Sequence, residues 1–184
     1  MSSVVIAGDT SGSITLAAPA VAGNNTITLP ASTGTILTTT SPKVGNVLQV
    51  IQPPVYTTPF STTSGTATST GFTATITPTS ASSKILVIAY STLGVPTSGM
   101  NGHIDLRRGT STTIATDFYV TYGAADYLNA AFTAVYLDSP ATTSSTTYYL
   151  YAYRDGAAGT FYVGSRRDGG SPVTTSITLM EVAG

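Results

Sequence analysis

The sequence predicts an all-β protein: an N-terminal segment of extended strands followed by a jelly-roll-like β-sandwich. Three observations predict it. No stretch keeps the 3.6-residue apolar period of a helix. Pro and Gly, 10 and 18 in number, interrupt the chain too often for long helices. Between them stand runs of β-branched and aromatic residues, with turn signals at roughly 8–12-residue spacing, the pattern of a sandwich or barrel.

The N-terminal segment, residues 1–42, is built from brief strands. Ser3 to Ala7 (SVVIA) is the first, stopped by Gly8-Asp9. A degenerate repeat follows: Ile14-Thr15-Leu16 leads to Pro19 and Gly23, Ile27-Thr28-Leu29 leads to Pro30 and Gly34, and Ile36-Leu37 is a third, shorter pulse. Each unit is a β-branched run closed by a Pro and Gly turn. Strands this short are marginal in water unless they pack against something else. The apolar positions Val4, Val5, Ile6, Ile14, Leu16, Ile27, Leu29, Ile36 and Leu37 are therefore the expected attachment contacts, packing against another domain, other copies of the chain or a partner. A Thr/Ser cluster with Pro42, Lys43 and Gly45 reads as a linker, so the head domain is expected over residues 43–184.

In the head the strands lengthen. Val47 to Ile51 is a strand ended by Pro53-Pro54, Val55 to Phe60 is an irregular aromatic edge, and Ser61 to Thr70 is a polar loop. Gly71 to Thr77 alternates with Phe72, Ala74 and Ile76 on one face. Lys84 to Thr92 (KILVIAYST) is apolar on both faces, as a central strand should be, with Leu86 and Ile88 expected in the core. Gly102 to Arg108 puts Ile104 and Leu106 inward and His103, Asp105 and Arg107 outward. Strands follow at 112–122, 128–137, 146–153, 159–164 and 176–182, separated by Gly-, Pro- and Asp-containing turns.

Composition narrows the function. Charged residues are 8% of the chain, against about 25% in ordinary domains, and net charge is -1. That excludes the basic footprint of a nucleic-acid binder. A surface with so few charges needs covered or paired strand edges to stay dispersed. The chain has no Cys, so neither disulfides nor thiolate metal sites are expected. The start, MSSVVIAGD, has neither the basic n-region nor the apolar core of a signal peptide, and no run reaches the roughly 18 apolar residues of a membrane helix.

Candidate chemistry is sparse. His103, the one His, shares a strand face with Asp105 and Arg107. A Ser–His–Asp triad would need it, but no G-x-S-x-G elbow is present and neighbours on one strand do not orient a triad. The Asp residues are scattered without the local spacing of a paired-carboxylate site or a Ca²⁺ loop. No catalytic, cofactor or metal site is expected. Arg107-Arg108 and Arg166-Arg167 are the basic pairs; Arg is favoured at interfaces and in pairs with carboxylates. His103, Asp105, Arg107, Arg166 and Arg167 are therefore the expected inter-subunit or ligand contacts. Tyr148, Tyr149, Tyr151 and Tyr153 place rings on both faces of one strand, for packing or for stacking on sugars.

The repeat SITLAAPAVAGNNTITLPASTGTIL resembles the N-terminal segment of structural proteins of tailed bacteriophages. VGNVLQVIQ, ATITPTSASSKILVIAYSTLG, GHIDLRRGTSTTIA and the terminal SITLMEVAG resemble the same group, so the likeness covers most of the chain. It implies a non-enzymatic virion protein: a homotrimer with an N-terminal attachment segment and a distal sandwich head, whose partners are its own copies and a capsid or other virion protein. Long shaft repeats are missing, which favours a capsid decoration (a cement protein or head fibre) at the capsid surface over a long tail fibre. The alternative is a tail-fibre tip whose loops bind host surface glycan. Neither nucleic acid nor membrane is expected as a partner.

Overall fold

A computed structural model of the chain describes residues 3–7, 10–17, 21, 42–121, 128–166 and 172–184. The chain divides into two compact units, Met1–Ile36 and Leu37–Gly184. In the first, β1 (Ser3–Ala7) and β2 (Ser13–Ala17) pair antiparallel as a two-stranded ribbon, with Val4 opposite Leu16 and Ile6 opposite Ile14.

The second unit contains β3 (Val47–Ile51), β4 (Phe60–Thr62), β5 (Thr68–Ile76), β6 (Lys84–Val95), β7 (Met100–Arg108), β8 (Thr112–Thr121), β9 (Leu128–Asp138), β10 (Thr146–Gly156), β11 (Phe161–Val163) and β12 (Ser176–Val182). Their pairing is nested. β7 pairs β8, β6 pairs β9, β5 pairs β10 and β3 pairs β12, all antiparallel. This is one long hairpin, turning at Gly109 (φ 63°), rolled so that its pairs alternate between two layers. One layer runs β3-β12-β6-β9 and the other β5-β10-β7-β8. The short pair β4-β11 extends the first layer along the edge of β6 beyond β12. Two four-stranded antiparallel sheets connected in this way are a jelly roll.

Strand alternation builds the core. Ile85, Val87 and Ala89 of β6, with Ile177 and Leu179 of β12, face Ile104 and Leu106 of β7 and Leu150 and Ala152 of β10, and each is fully buried. Burying each larger aliphatic stabilises the fold by about 1.5–3 kcal/mol. Phe72, Ala74 and Ile76 turn inward together. Phe118 meets Phe132 edge-on at 5.5 Å, packing β8 against β9 where the two sheets meet.

Two expectations need correction. Leu86 and Ile88 are not core residues: Ile85, Val87 and Ala89 take the inner face, and Leu86 and Ile88 lie half-buried on the outer one. A run apolar at every position has no period-2 signal to say which face is inside. The stretch 61–70 is not wholly loop, because Phe60–Thr62 pairs with β11 and Thr68–Thr70 begin β5. Threonine suits strand edges as well as loops. The irregular segment before β4 is tied down by Tyr56. Its backbone bridges Thr175, its hydroxyl donates to the Thr73 carbonyl at 2.6 Å, and its ring lies 4.8 Å from that of Phe72.

Candidate functional site

The expected attachment residues of the first unit occupy both strands of the ribbon. Val4 and Ile6 share a face on β1, and Ile14 on β2 stands directly across from Ile6. Val4, Val5, Ile6 and Ile14 are all more than half exposed. A two-stranded ribbon leaves both faces bare, so strand alternation hides nothing. Ile27, Leu29, Ile36 and Leu37 lie outside the described residues, as does Arg167.

On the head, the outer face of the β5-β10-β7-β8 sheet gathers His103, Asp105 and Arg107. The register sets Tyr149 opposite Arg107, Tyr151 opposite Asp105, Tyr153 opposite His103 and Asp155 opposite Asn101. The His103 ring stacks on Tyr153 with centroids 4.4 Å apart and planes 7° from parallel. Its Nε2 lies 3.3 Å from Asp155 Oδ2, and Asn101 donates to the other carboxylate oxygen. These two hydrogen bonds, Asn101 first and His103 second, hold the Asp155 carboxyl below its ordinary value. Arg107 pairs with Asp105 at 3.1 Å, and its guanidinium sits 4.1 Å above the centre of the Tyr151 ring.

His103 and Asp105 point outward as expected, yet both are buried. Cross-strand rings supply the cover. Tyr153 lies on His103, and Arg107, drawn over Tyr151, closes on Asp105. The result is a pre-set platform of partly exposed phenols, a fixed carboxylate and a guanidinium. Such groups stack on rings and hydrogen-bond hydroxyl-rich ligands. Arg166 is exposed, outside the paired strands of this sheet.

Two further polar clusters escaped the sequence reading. Arg108 shares the parity of Ile104 and Leu106, so it turns inward. Its Nη1 lies 2.9 Å from both oxygens of Asp138, and the buried Tyr148 hydroxyl donates to Asp138 Oδ2 at 2.7 Å. This pins β7 and β10 of one sheet to β9 of the other. Burial first, and the Asp138 hydrogen bond second, push the Tyr148 phenol far above its ordinary value. The alternation of GHIDLRR was the available signal for Arg108. At the other cluster Glu181 is fully buried. It accepts from the Thr79 amide and hydroxyl, both at 2.7 Å, and from Gln49 Nε2 at 2.5 Å. Burial raises its carboxyl, but the hydrogen bonds from Gln49 and Thr79 outweigh burial and leave it below the ordinary range. A surface cavity of about 390 Å³ opens nearby, lined by Pro42, Leu48, Thr79, Ser80, Ser82, Ser83, Ala183 and Gly184, with no titratable side chain among them. Among the described residues, no three His, Asp or Glu side chains assemble as metal ligands.

No protein-family model matches the chain, and no curated relative does. Solved structures of infectious bursal disease virus are similar at a distance. A structure of the Gx strain has 15% identity and a TM-score of 0.37, covering 94% of this chain and 43% of that one. The T13 viral particle has 15% identity and a TM-score of 0.36, covering 94% and 42%. The VP2 subviral particle has 16% identity and a TM-score of 0.35, covering 88% and 43%. The chain thus spans less than half the length of these structures. Likenesses this distant say nothing of function.

Proposed function

We propose that the chain is a non-enzymatic structural protein of a tailed-phage virion, a homotrimeric capsid decoration that residues 1–42 attach to the particle. The observation that carries the reading is the N-terminal ribbon. Its Val4, Val5, Ile6 and Ile14 side chains stand in solvent, and a two-stranded sheet has no core of its own. Such a ribbon gains stability when its edges and faces are completed by strands from other chains. The resemblance of the repeat to virion proteins supports a capsid shell or sister copies as the source. The jelly-roll head then projects outward from the particle, its surface rich in Ser and Thr. The test is co-sedimentation of the full-length chain with particles lacking it, using wild type and Val4→Asp/Ile6→Asp. Wild type is expected to bind tailless heads as well as complete virions, and the variant to lose binding. Undiminished binding by the variant overturns the anchor; binding to tails alone overturns the capsid role.

The Tyr151–Arg107–Asp105 and Tyr153–His103–Asp155 stacks favour a second reading, a head that contacts host surface glycan. A glycan array probed with wild type and Tyr151→Ala tests it. Absence of glycan binding by wild type removes this reading and leaves the first untouched.

A further inference from the structure

A strand at the edge of a sheet presents unpaired backbone N–H and C=O groups, and folded proteins ordinarily break such edges with short length, bulges, Pro or charge. The edge strands among the described residues are β3, β4, β5, β8 and β9. The first four are broken in this way. β4 has three residues. β3 has five, slips register against β12 between Glu181 and Val182, and runs into Pro53-Pro54. β5 carries Gly71 at φ 78° and slips against β10 between Tyr149 and Tyr151. β8 slips twice against β7, on either side of Leu106. β9 has none of these devices. It pairs with β6 through eleven consecutive residues, from Leu128 opposite Val95 to Asp138 opposite Ile85, without a slip. It contains no Pro, and its one charged residue, Asp138, is the last in the strand and is bound by Arg108. On its other side no described strand pairs with it.

We infer that β9 is an interaction edge, pairing antiparallel about a two-fold axis with β9 of a second copy of the chain. The backbone limits the occupant to an extended strand, because the free donors and acceptors of an edge recur at every second residue, about 6.8 Å apart. Three features select the same strand of another copy. Length is the first: self-pairing sets eleven unbroken residues against eleven, whereas β3 and β4 are shorter and β5 and β8 lose register within their length. Charge is the second. Identical strands would bring like charges close together, which is destabilising, and β9 carries none before its last residue. Symmetry is the third: an antiparallel pair of identical strands is self-matching, so every contact is made twice, as in the commonest oligomers. The side chains agree with this pairing. Ala131, Thr133 and Val135 share the outer face of β9 and all are exposed, and a paired copy makes them close cross-strand neighbours. The β3-β12-β6-β9 sheets of two heads then run on as one continuous sheet.

The inference goes beyond the reading above and uses neither its anchor nor its three-fold. Two-fold pairing gives two chains, or six where the homotrimer also holds. The chain has no Cys, so introduced thiols report single positions. Full-length Ala131→Cys, Thr133→Cys and Val135→Cys are oxidised at equal micromolar concentration, each alone and mixed in pairs, and the disulfides are identified by mass spectrometry. Directly opposed Cα atoms lie about 4.5–5.5 Å apart, within disulfide reach, and the next residue on the same face is displaced a further 6.8 Å or so along the strand, beyond it. The joined positions should therefore all belong to one register, at about tenfold or more the yield of any other combination. In full overlap these are position 133 with itself and position 131 with position 135. Wild type should sediment at an even multiple of 18.7 kDa. Cross-links spread evenly over all combinations overturn the inference, and so does their absence. A single-chain mass also overturns it, and a mass of three chains overturns it while leaving the homotrimer intact. None of these readouts depends on particle binding, so failure of the anchor leaves them unchanged.

Discussion

Glu181→Gln is the sharpest probe of how the rolled hairpin closes. Glu181 lies on β12 and accepts from Gln49 on β3 and from Thr79 between β5 and β6. Gln49 Nε2 also donates to the Thr77 carbonyl at 2.8 Å. A glutamine keeps the shape but offers one acceptor oxygen. Whichever way its amide turns, an N–H faces either the Thr79 donors or the Gln49 amide. Flipping Gln49 to accept would leave the Thr77 carbonyl without its donor. One part-buried donor is therefore left facing an N–H, at about 1–3 kcal/mol, and the remaining bonds lose their charge assistance. A total of about 2–3 kcal/mol corresponds to a melting point lower by roughly 4–12 °C for a chain of this size. The sign with pH follows from the lowered carboxyl. The group contributes stability above the unfolded glutamate value of about 4.3, and that contribution is lost as pH falls through the lower folded value. Wild type and variant should therefore differ at pH 7 and converge below about pH 4. Guanidinium melts followed by circular dichroism at one protein concentration measure both. A gap below about 0.5 kcal/mol at pH 7, the surface range, or one unchanged at pH 3, refutes the reasoning.

Other perturbations test the core and the sheet-to-sheet ties. Leu150→Ala removes a fully buried side chain and should cost about 2–5 kcal/mol in the same melts; a surface-sized change would place β10 wrongly. Gly102→Ala would drive a methyl into the Phe161 ring, and overpacking of this kind costs about 1–3 kcal/mol; an unchanged melting point would contradict that contact. Tyr148→Phe deletes the bond to Asp138 while Arg108 still neutralises the carboxylate, so a loss of about 1.5–3 kcal/mol is expected. Since the Tyr148 phenol is raised, its contribution is complete below the unfolded value of about 10 and fades as pH climbs beyond it. In an absorbance titration of folded wild type, one tyrosine should resist ionisation until the protein unfolds, and Tyr148→Phe should lose that late step.

Local pattern alone determined much of this protein. Alternation places Ile104 and Leu106 inside, puts Phe72, Ala74 and Ile76 on one face, and delimits the strands near Val47–Ile51 and Ser176–Val182, because side chains on a pleated strand change sides at every residue. The tertiary structure alone decided which strands pair. Asp155 reaches His103 and Glu181 reaches Gln49 across long stretches of chain, and only the nested register brings them together. It also decided which side of Ile85-Leu86-Val87-Ile88 is the core. A strand apolar at every position satisfies either orientation locally. The choice came from the facing sheet, whose inward Ile104, Leu106 and Leu150 meet Ile85 and Val87 and leave Leu86 and Ile88 on the outside.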